Sequence, residues 1–168
     1  ADEENPASEN DFGKNIIPSL LAAGHKMMAY RFDGYWKDVG TIDSLWDANM
    51  DMLAPHNSID LNDTSWPIYA RTPVRPPHVT GPNSVISHSL VTGGCQVDGT
   101  VENSVLFRQV TVEAGAEVEH CIIMNDCVIG KGAELKYVVL DKEVTVTPGA
   151  KLIGTKKNPI IVKRGEIV

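Results

Sequence analysis

No stretch of this chain approaches the roughly 20 consecutive apolar residues that a membrane-spanning helix needs, although hydrophobic residues make up 42% of its 168 residues. Nor does it open on a basic and apolar leader: residues 1–10 carry four acids and a proline and read as a surface loop. Cysteine is scarce. Cys95, Cys121 and Cys127 are odd in number and show no CxxC spacing, which argues against a disulfide framework or a zinc site and fits a reducing cytoplasm. Basic residues are few over most of the chain, with 7 Lys/Arg against 18 Asp/Glu in residues 1–130, a net of −11. That balance disfavours nucleic acid as a partner. Residues 131–168 hold 8 Lys/Arg against 4 Asp/Glu, a net of +4, and such an end can attract a small anion.

What is present is a repeat. Leu106, Ile123 and Leu140 are spaced by 17, as are Val112, Ile129 and Val146, and Val118, Leu135 and Leu152. Ala116, Ala133 and Ala150 stand two positions before the third anchor, each preceded by a glycine, and a shorter 15-residue unit over 88–102 places Val91, Val97 and Val101 in the anchor positions. Anchors six, six and five apart match no 3.6-residue helical stripe. They match three short strands per unit that close a triangular coil and stack on neighbouring coils at about 4.8 Å. The expected fold is mainly β, a parallel β-helix from about residue 79 to 162. Cys95 and Cys127 fall in one column with Val110 and Val144, and Cys121 in another with Ser89, Ser104 and Val138, so all three are expected in the core.

The preceding segment reads differently. Residues 14–23 suggest a short helix ended by Gly24, with Pro18 straining or kinking its interior. Residues 27–32 and 35–39 flank Asp33-Gly34, a hairpin-turn dipeptide. Thr41 is a candidate N-cap for a helix to Leu53 with Ile42, Leu45, Trp46, Asn49, Met52 and Leu53 on one face, and this helix–hairpin–helix is expected to cap a partner outside the sequence. Residues 54–86 hold six of the ten prolines and read as a linker or irregular bridge. The expected organisation is 1–53, a linker over 54–78, and a β-helix domain over 79–168.

Asp11-Phe12-Gly13-Lys14-Asn15-Ile16-Ile17-Pro18 resembles a motif near the end of the catalytic domain of the ADP-glucose pyrophosphorylase family. Gly34-Tyr35-Trp36-Lys37-Asp38-Val39-Gly40-Thr41, then Ala48-Asn49-Met50, is similar to a second family signature. Trp66-Pro67-Ile68 and Ser89-Leu90-Val91-Thr92-Gly93-Gly94-Cys95 continue the match in the expected order. The resemblance implies a left-handed, hexapeptide-type coil preceded by the α/β tail of a nucleotidyltransferase domain. It implies adenylyl transfer from ATP to glucose 1-phosphate with Mg²⁺, releasing pyrophosphate for glycogen synthesis. It also implies a cytoplasmic homo-oligomer, or a hetero-oligomer with a related subunit, under control of a phosphorylated effector. The family's nucleotide loop, second catalytic aspartate and sugar-phosphate lysine would lie upstream of residue 1. The chain has no Gly-rich phosphate loop of its own and is expected to be inactive alone.

By the same resemblance Asp11 is the candidate metal-holding catalytic residue, although an Asp before a helix also serves as a plain N-cap. Lys142, Lys163 and Arg164 occupy basic positions that the family links to effector response, against an alternative of unused surface charge. His88 and His120 share a corner column with Asn103 and Tyr137. A coil histidine could act as a general base in a hexapeptide acyltransferase, a second function class. A third is a non-catalytic regulatory homologue of the same enzyme. His25, His56 and His78 share no ligand spacing.

Overall fold

A side chain on a strand points alternately to either face, and a two- or three-residue strand therefore offers one or two inward positions. The chain uses this from Val79 onward. The structure, a computed structural model, describes residues 3–54, 59–61, 63–67, 69 and 73–168. The first coil comprises β1 (Val79–Thr80), β2 (Val85–Ser87) and β3 (Leu90–Val91), and the second β4 (Gln96–Val97), β5 (Thr100–Glu102) and β6 (Val105–Leu106). The third comprises β7 (Thr111–Val112), β8 (Glu117–Glu119) and β9 (Ile122–Ile123), and the fourth β10 (Val128–Ile129), β11 (Glu134–Lys136) and β12 (Val138–Leu140). The fifth is β13 (Thr145–Val146), β14 (Lys151–Ile153) and β15 (Ile160–Val162). Every third strand stacks in parallel, which makes three five-stranded sheets and a parallel β-helix.

The 17-residue register holds position by position. Leu106 pairs with Ile123 and Ile123 with Leu140; Val112 pairs with Ile129 and Ile129 with Val146; Val118 pairs with Leu135 and Leu135 with Leu152. The shorter unit also sits as read, with Val91 on Leu106, Val97 on Val112 and Val101 on Val118. These anchors, with Ala116, Ala133 and the three cysteines, form one continuous core, buried throughout except at Val91 and Leu152, which pack against it half-buried. Ser104, its one buried polar side chain among the described residues, takes the amide of Cys121 at 2.9 Å and donates to the carbonyl of Glu102 at 2.7 Å. The column of Ser89, Ser104 and Cys121 thus satisfies its polar atoms rung to rung.

Besides the short 15-residue unit, the period breaks again in the fifth coil. A strict 17-residue step would place Lys157 under Leu140, but its partner is Val162, because residues 154–159 loop out of the fifth coil. Val162 is buried beneath Leu140, and Ile167–Val168 begins a further rung beside Thr145.

One corner column, His88, Asn103, His120 and Tyr137, is built from residues other than glycine, and all four adopt left-handed backbone angles; a second runs through Gly94, Gln109, Asp126, Glu143 and Gly165, with glycine only at its ends. Glycine holds the third corner at 115, 132 and 149. A side-chain-bearing residue pays roughly 1–2 kcal/mol for that conformation, which the stacking of flanking strands on both sides offsets. Gly99 is required for a different reason: an added Cβ would lie 2.3 Å from the carbonyl oxygen of Ala116.

The chain divides into two compact units, Ala1–Gly34 and Tyr35–Val168. In the first, a π-helical turn over Phe12–Ile16 leads into α1 (Ile17–Ala22). Pro18 falls in the first turn of α1, directly after the π-helical turn. Gly24, at φ +71°, ends the helix as expected, with its N–H on Leu21 and that of His25 on Leu20. The expected hairpin is not formed: residues 27–32 and 35–39 carry no strand, and Met28, Tyr30, Phe32 and Trp36 are exposed. Two short segments without a third strand or a covering face do not hold a ladder.

In the second unit α2 (Ile42–Asp51) starts at Thr41, whose side chain and that of Ser44 bond each other's backbone amides in a capping box. Trp46 is 6% exposed and packs on Ile122 and Val139, with Met50, Phe107 and Tyr137 around them. The helix thus covers the outer face of the sheet that contains β9 and β12, rather than only a partner outside the sequence. Met50 joins the packed face and Ile42 stays exposed, a rotation from the expected stripe set by where Trp46 finds its pocket. The described residues between α2 and β1 form neither helix nor strand. His56 and Ile68 lie outside the described residues.

Candidate functional site

Asp11 sits at the N-cap of the π-helical turn, exposed, with its Oδ1 accepting the amide of Lys14 at 2.7 Å. Lys14 pairs with Glu9 at 2.9 Å. Among the described residues no group of three or more His, Cys, Asp or Glu could hold a metal ion. A lone carboxylate already engaged as a cap supplies one oxygen of the six that Mg²⁺ prefers.

The three basic candidates come close together along one corner but do not form one cluster. The N–H of Gly165 donates to the carbonyl of Lys142 at 3.0 Å, so Lys163 and Arg164 lie one rung beyond it. Arg164 grips both carboxylate oxygens of Glu143, whose carboxyl the guanidinium hydrogen bond holds below its usual range. That pair neutralises its own charge. The backbone amide of Lys163 bonds Glu166 at 3.1 Å.

Lys142 instead joins two cations on the other side. It lines an open groove of about 740 Å³ with Arg75, Arg108, Phe107, Met124 and Asn125. Arg108, Asn125 and Lys142 are spaced by 17 and so stand on successive rungs, with the Arg108 amide on Asn125 Oδ1 at 3.2 Å. Two rungs separate the cations by about 10 Å at the backbone. Arg75 arrives from the segment before the coil, where the carbonyl of Pro76 takes the amide of Gly94 at 2.7 Å and lays the chain along the same corner. Arg108 could have been found by extending the repeat from Lys142. Arg75 could not, since nothing in its proline-rich context fixes where it lands.

The histidine column is engaged in structure. The ring of His120 stacks on Tyr137 at 4.8 Å, and its carbonyl takes the indole N–H of Trp46 at 3.2 Å. His88 has Nδ1 2.7 Å from Asn103 Oδ1 and Nε2 2.8 Å from the carbonyl of Leu53. His25 and His78 are exposed.

Segment and coil together define a class, a nucleotidyltransferase-type sequence joined to a hexapeptide β-helix. The Nucleotidyl transferase family matches residues 1–54, and the GlmU-like, C-terminal hexapeptide family matches residues 77–159. A glucose-1-phosphate adenylyltransferase of Clostridium botulinum is 58% identical over 111 residues, 66% of this chain and 29% of that protein. One of Clostridium perfringens is 56% identical over 117 residues, 70% of this chain and 30% of that protein, and one of Bacillus mycoides is 51% identical over 117 residues, 70% and 31%. The chain belongs to the glucose-1-phosphate adenylyltransferase family, and it spans about three-tenths of the length of these relatives. No helix among the described residues is long and apolar enough to cross a membrane.

Proposed function

We propose that this chain is the C-terminal regulatory and oligomerisation part of a cytoplasmic enzyme that converts ATP and glucose 1-phosphate to ADP-glucose and pyrophosphate for glycogen synthesis. The observation that carries the reading is 58% identity to an adenylyltransferase over 111 residues. The part is inactive alone. In the whole protein Asp11 offers one carboxylate oxygen to Mg²⁺, and the remaining ligands come from outside this chain and from the substrate phosphates. The ion's contribution when bound is neutralisation of phosphate charge. Its native assembly is a homo-oligomer, or a hetero-oligomer with a related subunit.

The regulatory half of the proposal centres on Lys142. With Arg108 and Arg75 across one groove it suits a phosphorylated effector, whose oxygens each guanidinium can meet with paired hydrogen bonds. Lys163 and Arg164 add positive field from the adjoining rungs, although Glu143 offsets Arg164. Acyl transfer is less favoured, because His88 and His120 are tied to Asn103, Leu53, Tyr137 and α2 rather than presented to a substrate. A non-catalytic homologue remains the second reading, and retention of the Asp11 motif speaks against it.

The test is made in the longer protein that contains this chain. ADP-glucose synthesis should fall by orders of magnitude in Asp11→Asn with an altered Mg²⁺ dependence, and the isolated chain should show no turnover. Unchanged kinetics in Asp11→Asn would remove it from the metal site. Lys142→Ala should raise the concentration of hexose bisphosphate needed for half-activation about tenfold; an unchanged activation curve would leave Lys142 as surface charge.

A further inference from the structure

Phe107 belongs to two surfaces at once. Its half-buried side chain lines the groove with Arg108, Met124 and Lys142. It also packs on the cluster of Trp46, Ile122 and Val139 that seats α2 on the coil. At the other end of α2, Asp51 is a clamp. Its Oδ2 accepts from the Tyr35 hydroxyl and from the Lys37 ammonium, each at 2.9 Å, and Asp47 lies 3.9 Å from Lys37. Tyr35 and Lys37 are half-buried by this contact, and the alternating residues Trp36 and Asp38 are exposed. A further tie holds the exit of α2, where the Leu53 carbonyl meets His88. A single helix is therefore fastened to the coil by one set of contacts and to the Tyr35–Thr41 segment by another.

We propose that Phe107 is the positioning residue through which occupancy of the groove is transmitted to the motif segment, by way of Trp46, α2 and the Asp51 clamp. The inference rests on reading the groove as an anion site. A close-packed contact responds to a displaced ring by repacking rather than by smooth deformation. An anion held between Arg108 and Lys142 limits the positions open to the Phe107 ring, and so limits how Trp46 can seat. Binding shifts the motif only to the extent that the anion prefers one seating over the other, a coupling that typically changes affinity or response roughly 5- to 150-fold.

The experiment uses the longer protein, with inorganic phosphate and a hexose bisphosphate as probes. Affinity is read by titration calorimetry, activation as the ratio of rates with and without probe, and amide exchange over residues 35–53. In Phe107→Ala the probe affinity should stay within about threefold, while the activation ratio and the probe-induced protection of residues 35–53 fall about tenfold. Phe107→Leu, which keeps an apolar side chain of more than half the size and guards against a folding defect, should retain part of both. If Phe107→Ala keeps the probe-induced protection, or loses it only in step with binding, the coupling is overturned. Probe affinity unchanged in Lys142→Ala would instead remove the anion reading of the groove, and the exchange response of Phe107→Ala would still decide the coupling for whatever site holds the probe. Absence of any probe binding by the wild-type protein overturns both.

Discussion

Cys121 stands in a column whose other members are Ser89, Ser104 and Val138, a place with room for a small side chain and no path to water. Burial pushes its thiol up to about 12 and that of Cys127 up to about 11, and it raises Cys95 as well. The unfolded chain would ionise these thiols near their ordinary value of about 8.5. Above that pH the unfolded state therefore binds fewer protons than the folded one, and stability falls as pH rises from about 9 toward 12. At neutral pH the folded chain should react with iodoacetamide at no more than its unfolding rate. Rapid labelling of all three thiols with the β-sheet signal intact would contradict the buried columns. The residue scale also shows what periodicity leaves open. The period placed His88 and His120 at a corner, but their pairing with Leu53 and Trp46 depends on a helix 35 and 74 positions away.

At the scale of elements, each strand is too short to be stable by itself, and the stack supplies what the strand lacks. Ile129 illustrates this, being fully buried between Val112 and Val146 on adjacent rungs. Ile129→Asp would place an unpaired carboxylate inside the coil at a cost of roughly 3–5 kcal/mol, enough to lower Tm by about 10 °C or more. A melt within a degree or two of wild type would refute the register. For α2, the capping box makes a finer test: Thr41→Ala should cost about 1 kcal/mol of helix stability, visible as faster amide exchange at Ser44 and Leu45 with the coil unaffected. The existence of α2 was legible from Thr41 and its apolar spacing. Its partner was not, because an amphipathic stripe states that a face must be covered and says nothing of what covers it.

For the whole molecule, stability is unevenly distributed. Residues 25–40 are largely exposed and carry no helix or strand, whereas the coil buries a continuous core from Cys95 to Val162. Brief trypsin treatment should cut first after Lys26 and Arg31, leaving a resistant fragment that contains the five coils. Cleavage after Lys131 or Lys136 at a comparable rate would mean that the stack is loose. The insertion over 154–159 belongs to this scale too. It carries Lys156 to within 5.6 Å of the Trp46 ring centre, so this insertion in the repeat reaches α2.

The sequence by itself determined the coil, its register as far as the 154–159 insertion, its cysteine columns and the start of α2 at Thr41, because the coil follows from short-range spacing repeated many times and the helix start from a local cap. It also pointed to Lys142 through a local motif. Only the tertiary structure decided that Lys142 faces Arg75 and Arg108 rather than Lys163 and Arg164, that Glu143 takes Arg164, and that Phe107 bridges groove and helix. Those relations join segments that no common period links. Their geometry is set by where a proline-bearing segment and a single amphipathic helix come to rest on the stack, and that is decided by packing summed over the whole surface.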